Sequence, residues 1–356
     1  MENHKTENWN KETAQRVRIR DIADELGVST ATVSNVIHGK TAKISDRTVQ
    51  RVQEQLERRE YVPNMAAVLL AQNSSKIICV VISNEEKYEG RVLEDPFVAA
   101  LSNYLAVEIE KNQFFMMVKI VDDVNEVIQY ASMWNMAGLI LIGFCEQDYD
   151  SLRNHMRIPF VVMDGFFEPN SRCANVGIDD FDGGCQMGKY LLACGHEEVI
   201  FLADNDESMD HARFQGICKA FEDLGKNVKN IRKEIVPLHK QERMAYYDGM
   251  LGKIGSVTAI FCASDYYGIE IMNYLQDHGY LVPEDISVAA FDDIPAATIV
   301  RPALTTIRQD ISMRARSAIG MLMDLMTGSE CERHLILPAE LVKRSSVAVI
   351  RDRNTI

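Results

Sequence analysis

A rhythm constrains this chain more than any single motif: beyond residue 75, short apolar runs alternate with amphipathic stretches of helix length. The runs are KIICVVI, FFMMVKIV, GLILIG, FVVMD, VIFLAD, EIVPL, AIFCAS and SVAAFD. Near-continuous apolar runs of this kind read as strands covered on both faces. A helix between successive runs forces right-handed crossovers, so the sheets are expected to be parallel. The number of runs suffices for two doubly wound sheets rather than one. Ligands in such folds bind beyond the carboxyl ends of the strands, which makes a cleft between two lobes the expected site.

At 356 residues the chain exceeds one ordinary domain, so two or three folding units are expected. It has no apolar run long enough to span a bilayer, and its opening MENHKTENWNKETAQ lacks the apolar core of a secretory leader. The expectation is a cytoplasmic protein with no membrane partner. The 8 cysteines form no CxxC pair and mostly sit in apolar runs, which predicts core thiols and no metal site. HExxH, GxxxxGK[ST] and GxSxG are absent, so the reading is not an enzyme and implies no cofactor. A net charge of −14 looks wrong for a nucleic-acid binder, yet residues 1–71 are close to charge balance and the acidic excess lies beyond them.

That first segment carries a different periodicity. In RIRDIADELGVSTATVSNVIHG, Ile19, Ile22, Ala23 and Leu26 fall on one helical face, and Gly27 ends the helix. Ser29 is placed to cap a second helix, with Val28 stapled to Val33. Helices joined by so tight a turn must cross steeply. Val33 and Val36 face inward, leaving Thr30, Ala31, Ser34, Asn35 and His38 outward, small or polar side chains that suit base edges. A third helix starts at Ser45, with Ile44, Val49, Val52 and Leu56 as its apolar stripe. Tyr61-Val62-Pro63-Asn64 breaks that helix, and Asn64 can cap a fourth, MAAVLLA, which is too short to hold in water unaided and must fold against something.

GVSTATVSNVIHG, then IS after the turn, then YVPNMAAVLLA resemble the headpiece and hinge of the lactose-repressor/galactose-repressor family of transcriptional regulators. The resemblance implies a second helix that enters the major groove, and paired hinge helices that insert a leucine into the minor groove. By motif position that leucine is Leu70, with Ala67 beside it. An apolar wedge unstacks a base step and kinks the duplex, a cost recovered through wider contact. The same carry-over makes Thr30, Ala31 and Asn35 base-reading, Thr32 and Ser34 phosphate-facing, and Asn64 the anchor of the hinge. The family often has arginine where Asn35 stands, and asparagine prefers adenine where arginine reads guanine. A basic hinge residue is replaced by Val68, and an extra residue after His38 displaces Lys40 and Lys43 from familiar phosphate contacts.

The resemblance continues through VGIDDFDGG, Gly195-His196, VPEDISVAAFDD, RPALTTIRQD and LPAELVKRSS, and implies an architecture like that of periplasmic sugar-binding proteins. The expected organisation is a disordered extension (1–16), a helix-turn-helix headpiece (17–62), a hinge helix and linker (63–75), an effector-binding and dimerisation domain (76–346) and a tail (347–356). The first lobe is expected to take 76–165 plus 295–327, and the second 166–292 plus 328–346, with three chain crossings as the hinge. Facing the cleft are expected Asp95, Phe97, Asp164, Arg213, Ser264, Asp292 and Gln309. Carboxylates accept sugar hydroxyls, arginine is a forked donor, and a ring such as Phe97 can cover a sugar's apolar face or serve as core. Asp265 and Asp293 read as capping and structural residues, and His196 as a turn residue. Ser264 replaces an asparagine common in sugar-responsive members, Leu238 a stacking aromatic, and Glu207 and Met209 the arginine and threonine of the purine-responsive member, so effector identity stays open.

The resulting expectation is a homodimeric repressor on a pseudo-palindromic double-stranded DNA operator. A small, sugar-like effector in the cleft would change DNA affinity by a coupling energy on the order of 1–3 kcal/mol. The C-terminal AVIRDRNTI holds no leucine heptad, favouring a dimer over a tetramer. Two alternatives share parts of the pattern: control by a phosphoprotein corepressor, and a solute-binding module or enzyme with an incidental helical head.

Overall fold

The computed structural model describes residues 17–62, 75–165 and 173–350. Asn64, Ala67, Val68 and Leu70, the expected extension and most of the expected tail lie outside them. The chain divides into two compact units, Met1–Asn73 and Ser74–Ile356.

The first unit holds three helices: α1 (Ile19–Leu26), α2 (Thr30–Ile37) and α3 (Asp46–Arg58). Gly27 ends α1 with φ at +69°, a conformation glycine enters without the steric cost of a Cβ. The Ser29 hydroxyl accepts from Thr32 N at 3.1 Å and the Ser45 hydroxyl from Thr48 N at 3.3 Å, so both expected caps form. Ile22, Ala23, Val33, Val36 and Val52 close a small core, with Val28, Ile44, Val49 and Leu56 packed around it. Gln55 is also buried there, donating to Glu25 and accepting from Arg58.

The second unit contains two six-stranded sheets. The strands are β1 (Ile77–Ser83), β2 (Phe115–Val121), β3 (Gly138–Ile142), β4 (Phe160–Met163), β5 (Asn175–Ile178), β6 (Val199–Ala203), β7 (Ile231–Ile235), β8 (Ala259–Cys262), β9 (Ser287–Asp292), β10 (Thr305–Arg308), β11 (His334–Leu337) and β12 (Glu340–Val342). The helices are α4 (Pro96–Lys111), α5 (Val124–Met133), α6 (Glu146–His155), α7 (Asp180–Ala193), α8 (Ser208–Asp223), α9 (Lys240–Ile254), α10 (Asp265–Asp277), α11 (Ala296–Ile299) and α12 (Ile311–Thr327). The first sheet runs β11-β5-β4-β3-β1-β2 and is parallel throughout; the second runs β12-β10-β9-β8-β6-β7, with β12 alone antiparallel.

Period-two alternation shares each strand between two cores. Ile78, Val80 and Ile82 pack with Leu101, Leu105, Ile319 and Leu322 of α4 and α12, while Cys79 and Val81 join Val127 and Leu152 of α5 and α6 on the other face. In the second sheet Ile200 and Leu202 face Tyr247 and Ile271, whereas Val199 and Phe201 face Leu191 and Phe221. Each such side chain, removed from water, contributes roughly 1.5–3 kcal/mol.

The expected lobe boundaries need correction. β5, assigned to the second lobe, pairs with β4 in the first sheet, and β10, assigned to the first, pairs with β9 in the second. Residues 328–346, expected in one lobe, split between β11 in the first sheet and β12 in the second. The crossings therefore fall after Ile178, after Arg308 and between Leu337 and Glu340. The reason is physical: a fully buried strand is apolar in either sheet, and which edge it joins is decided by distant partners. EIVPL is likewise displaced, because β7 occupies IRKEI at a sheet edge, where alternation with polar residues is tolerated.

Candidate functional site: a recognition face and an interlobe cleft

On the headpiece, Thr30, Ala31, Asn35 and His38 are exposed and Thr32 and Ser34 half-buried, so the expected reading residues share the face of α2 opposite Val33 and Val36. The Thr32 hydroxyl lies 2.9 Å from that of Ser29, within the helix cap. Arg51 donates to Leu26 O at 3.0 Å, tying the end of α1 to α3 and fixing the crossing that presents α2.

In the large unit a cavity of about 420 Å³ opens between the sheets at the carboxyl ends of their strands. Asp95, Phe97, Asp164, Arg213, Ser264, Asp292 and Gln309 all line it, brought from six elements: the starts of α4 and α10, the ends of β4, β9 and β10, and the second turn of α8. Asp95 caps α4, its Oδ1 accepting from Phe97 N at 3.0 Å and Val98 N at 2.9 Å. Ser264 caps α10. Asp164 and Asp292 sit just past or at strand ends with φ at +59° and +122°, conformations costly for a residue with a Cβ and concentrated at functional sites.

Arg213 is the hub of the second lobe's wall. Its Nε and Nη2 each lie 2.8 Å from Asp180 Oδ1, its Nη1 donates to Ala263 O at 2.5 Å, and Asp210 and Asp292 stand 3.8 and 4.0 Å away. Its guanidinium lies over the Phe291 ring at 3.8 Å. Glycines set this position. A Cβ on Gly184 of α7 would stand 2.1 Å from Arg213 O, and one on Gly216 of α8 would stand 2.1 Å from Phe181 O, so the two helices approach backbone to backbone. Gly183 serves a different contact: a Cβ there would stand 2.7 Å from the Phe291 ring of β9 and 3.2 Å from Ile307 of β10, so it lets α7 lie close on the second sheet.

Burial dominates the titration of the carboxyls around Arg213. It pushes Asp292 and Asp210 up to about 7, against the pull of Arg213, and raises Asp180 in the same direction. Near neutral pH this wall therefore holds carboxyls close to the point of ionising, beside one guanidinium.

Three residues of the site escaped the sequence reading. Arg314 on α12 is fully buried and donates to both Asp164 and the Gln309 carbonyl oxygen, while Gln309 Nε2 donates to Asp292 Oδ1 at 2.6 Å. A polar chain thus runs from Asp164 in the first lobe through Arg314, Gln309 and Asp292 to Arg213 in the second. Burial lowers Arg314 to about 9, still above the neutral range, so its charge persists. Arg243 lines the cavity, paired with Glu270 at 2.5 Å and donating to Pro237 O and Leu238 O. Lys87 joins Glu85 at 3.0 Å. At the same opening His239 of the second lobe stands 3.4 Å from both Glu86 and Glu89 of the first.

The remaining candidates have structural work. Asp265 is buried, accepting from Thr306 Oγ1 at 2.6 Å and Ile294 N at 2.9 Å. Asp293 binds Arg308 at 2.7 Å and also Arg344. His196 is buried between Thr258 Oγ1 and Ala348 O. Most cysteines are buried, Cys145 being exposed and Cys331 half-buried. Among the described residues no helix is long and apolar enough to cross a membrane.

A three-helix headpiece with a polar recognition face and a two-lobed α/β domain with a polar cleft define the class of two-domain bacterial transcription regulators. Residues 18–64 match the model of the bacterial regulatory proteins of the lacI family, and residues 189–347 that of the periplasmic binding protein-like domain. The chain is 30% identical over 342 residues to the HTH-type transcriptional repressor PurR of Pectobacterium carotovorum subsp. carotovorum, covering 93% of this chain and 96% of that protein. It is 27% identical over 344 residues to the HTH-type transcriptional regulator MalR of Clostridium butyricum, covering 93% and 99%. In fold it is similar to the lac repressor dimer bound to operator and the anti-inducer ONPF, with a TM-score of 0.81, 22% identity and coverage of 94% and 100%. It is also similar to the transcriptional regulator CelR in complex with cellobiose, with a TM-score of 0.67, 23% identity and coverage of 93% and 100%. The chain belongs to the lacI family and is a DNA-binding transcriptional regulator, not an enzyme.

Proposed function

We propose that this regulator is a cytoplasmic repressor that binds a pseudo-palindromic operator as a homodimer and is controlled by a small, sugar-like effector in the interlobe cleft. The observation that carries the reading is the cavity itself, about 420 Å³ and lined by every one of the seven residues assigned to effector contact. Its volume suits a monosaccharide- to disaccharide-sized molecule. An effector touching both walls has different contacts in open and closed arrangements, which is what a population shift requires.

Apolar exposure supports the dimer. Tyr104 and Val107 on α4 and Phe115 and Val118 on the edge strand β2 are exposed, and α4 packs beside β2. An edge strand with an apolar neighbourhood is a surface that proteins normally cover. In the operator complex α2 is assigned to the major groove through Thr30, Ala31, Thr32, Ser34, Asn35 and His38, and the hinge to the minor groove through Asn64, Ala67 and Leu70.

The test is a thermal-shift screen of the full chain against sugars, sugar phosphates, nucleosides and purines, followed by operator binding with and without each hit. A ligand at a hundred times its Kd adds roughly 2.7 kcal/mol to folded-state stability. A stabilising ligand that changes operator affinity supports the reading; ligands that stabilise without changing it refute effector control.

A further inference from the structure

One connection at the mouth of the cleft is out of proportion to the rest. Among the described residues every other strand-to-helix connection of the large unit holds four residues or fewer, whereas the one between β1 and α4 runs from Asn84 to Asp95. Such turns usually hold roughly two to six residues, and much longer ones in compact domains are commonly functional, active-site lids among them.

The extra length is tied down at its base. Val92 is buried in the core beside α4, and Tyr88 packs against the same core. Glu85 holds Lys87 at 3.0 Å, and a Cβ on Gly143 at the end of β3 would stand 3.1 Å from Glu85 Oε1, so Glu85 lies directly over the strand end. Glu85, Lys87, Tyr88, Glu89, Arg91 and Glu94 of this loop all line the cavity.

The loop turns back through Glu89 and Gly90, with φ at +49° and +76°, and there it meets the opposite lobe. His239, the residue before α9, places Nε2 3.4 Å from Glu86 Oε1 and Nδ1 3.4 Å from Glu89 Oε1. An imidazolium donates from both nitrogens at once, one to each carboxylate. Arg91 holds Glu89 at 3.1 Å from the loop's own side, which aims that carboxylate. The receiving side is rigid, because Arg243 donates to Pro237 O and Leu238 O and pairs with Glu270, fixing the turn that carries His239. Lys87 adds a second link: with Arg213 it opposes the rise that burial imposes on Asp210 of the second lobe.

We propose that residues 84–95 form a lid latched across the interlobe cleft by His239, so that the Glu86–His239–Glu89 contact gates traffic between the cavity and solvent. The latch is weak by construction. His239, Glu86 and Glu89 side chains are 48%, 70% and 37% exposed, and ion pairs so exposed contribute little each. Segments that must open are drawn from the less stable parts of a fold. The gate rests on the effector reading for its purpose; its test uses no effector, so the two can fail separately.

Hydroxyl-radical footprinting of the full chain, read by mass spectrometry, reports access to Phe97, Met209 and Tyr267 of the cavity, with exposed Met133 on α5 as the reference. His239→Asp sets a third carboxylate against the pair while keeping a helix-capping residue before α9. Glu86→Gln with Glu89→Gln removes the charge from the lid side. Each is expected to raise modification of the cavity residues about two-fold or more relative to Met133, and all three changes together no further than either alone. Deuterium exchange of residues 85–91 is expected to quicken in the same variants. His239→Arg, which keeps a cation, is expected to stay at or below the wild-type level in both measurements. Cavity residues modified at the wild-type rate in both disrupting variants, or an equal gain in His239→Arg, overturn the lid while leaving effector control standing. A rise shared by Met133 marks loosening of the whole chain and overturns it as well.

Discussion

Replacing Arg213 by methionine keeps much of the side chain's bulk and removes its charge, which isolates what the guanidinium contributes. The residue is buried, in contact with Asp180 at 2.8 Å and flanked by Asp210 and Asp292 at 3.8 and 4.0 Å. Removing one partner from a buried ion pair costs about 3–5 kcal/mol, because the other charge is left uncompensated. Here the abandoned groups can escape by taking up protons. An unfolded aspartate titrates at about 3.9, whereas folded Asp210 and Asp292 titrate at about 7. Between those limits the folded state holds protons that the unfolded state has released, so stability falls as pH rises through the window and levels off above it. Arg213 restrains that rise; without it the folded values climb further and the window extends to higher pH. Urea unfolding followed by circular dichroism is therefore expected to show a loss of about 3–5 kcal/mol at pH 8 and less than half of that at pH 5.5, with effector response abolished at both. An equal loss at the two pH values would refute the charge balance drawn around Arg213.

Gly184→Ala is expected to cost about 1–3 kcal/mol, since every near neighbour of the added Cβ is Arg213 backbone; Gly249→Ala, where nothing lies within 4 Å, is expected to stabilise by up to about 1 kcal/mol, and melting curves of the pair check both. Asn35→Arg is expected to change half-site preference by about 1–3 kcal/mol per base pair in a binding selection; an unaltered profile would remove Asn35 from base reading. Leu70→Ala is expected to abolish most of the operator bend, read by circular-permutation mobility, with the large domain still folded; unchanged bending would dismiss the wedge.

Local chemistry was the most legible part of this chain. Ser29, Ser45 and Gly27 announced helix ends because capping depends on neighbours in sequence. The alternation of strands and helices announced two sheets, since each run had to be apolar to be covered on both faces. Membership of β5 and β10 was not legible, because Asn175–Ile178 and Thr305–Arg308 carry no mark of the sheet they join. The cleft carboxylates were found through their places at strand ends and through the family resemblance. Arg314 and Arg243 were missed because arginine on an amphipathic helix reads as a solvated face. A signal was nonetheless present: Ile311, Arg314, Ala315, Ala318 and Leu322 form one buried stripe, as do Arg243, Tyr247, Met250 and Ile254. A cation on the apolar stripe, near the start of a helix, needs a partner out of water; the partners of Arg314, namely Asp164 and Gln309, line the site, and Arg243, paired with Glu270, lines it itself. Gln55 on the stripe of α3 follows the same logic.

The most direct trial of the account is enrichment of random-sequence duplexes by the full chain, followed by affinity for the enriched sequence across a salt series. A homodimer that places one α2 in each major groove must recover two inverted half-sites, and its log affinity must fall linearly with log salt as phosphate contacts release counterions. A single half-site with no inverted mate, or affinity indifferent to salt, would contradict it.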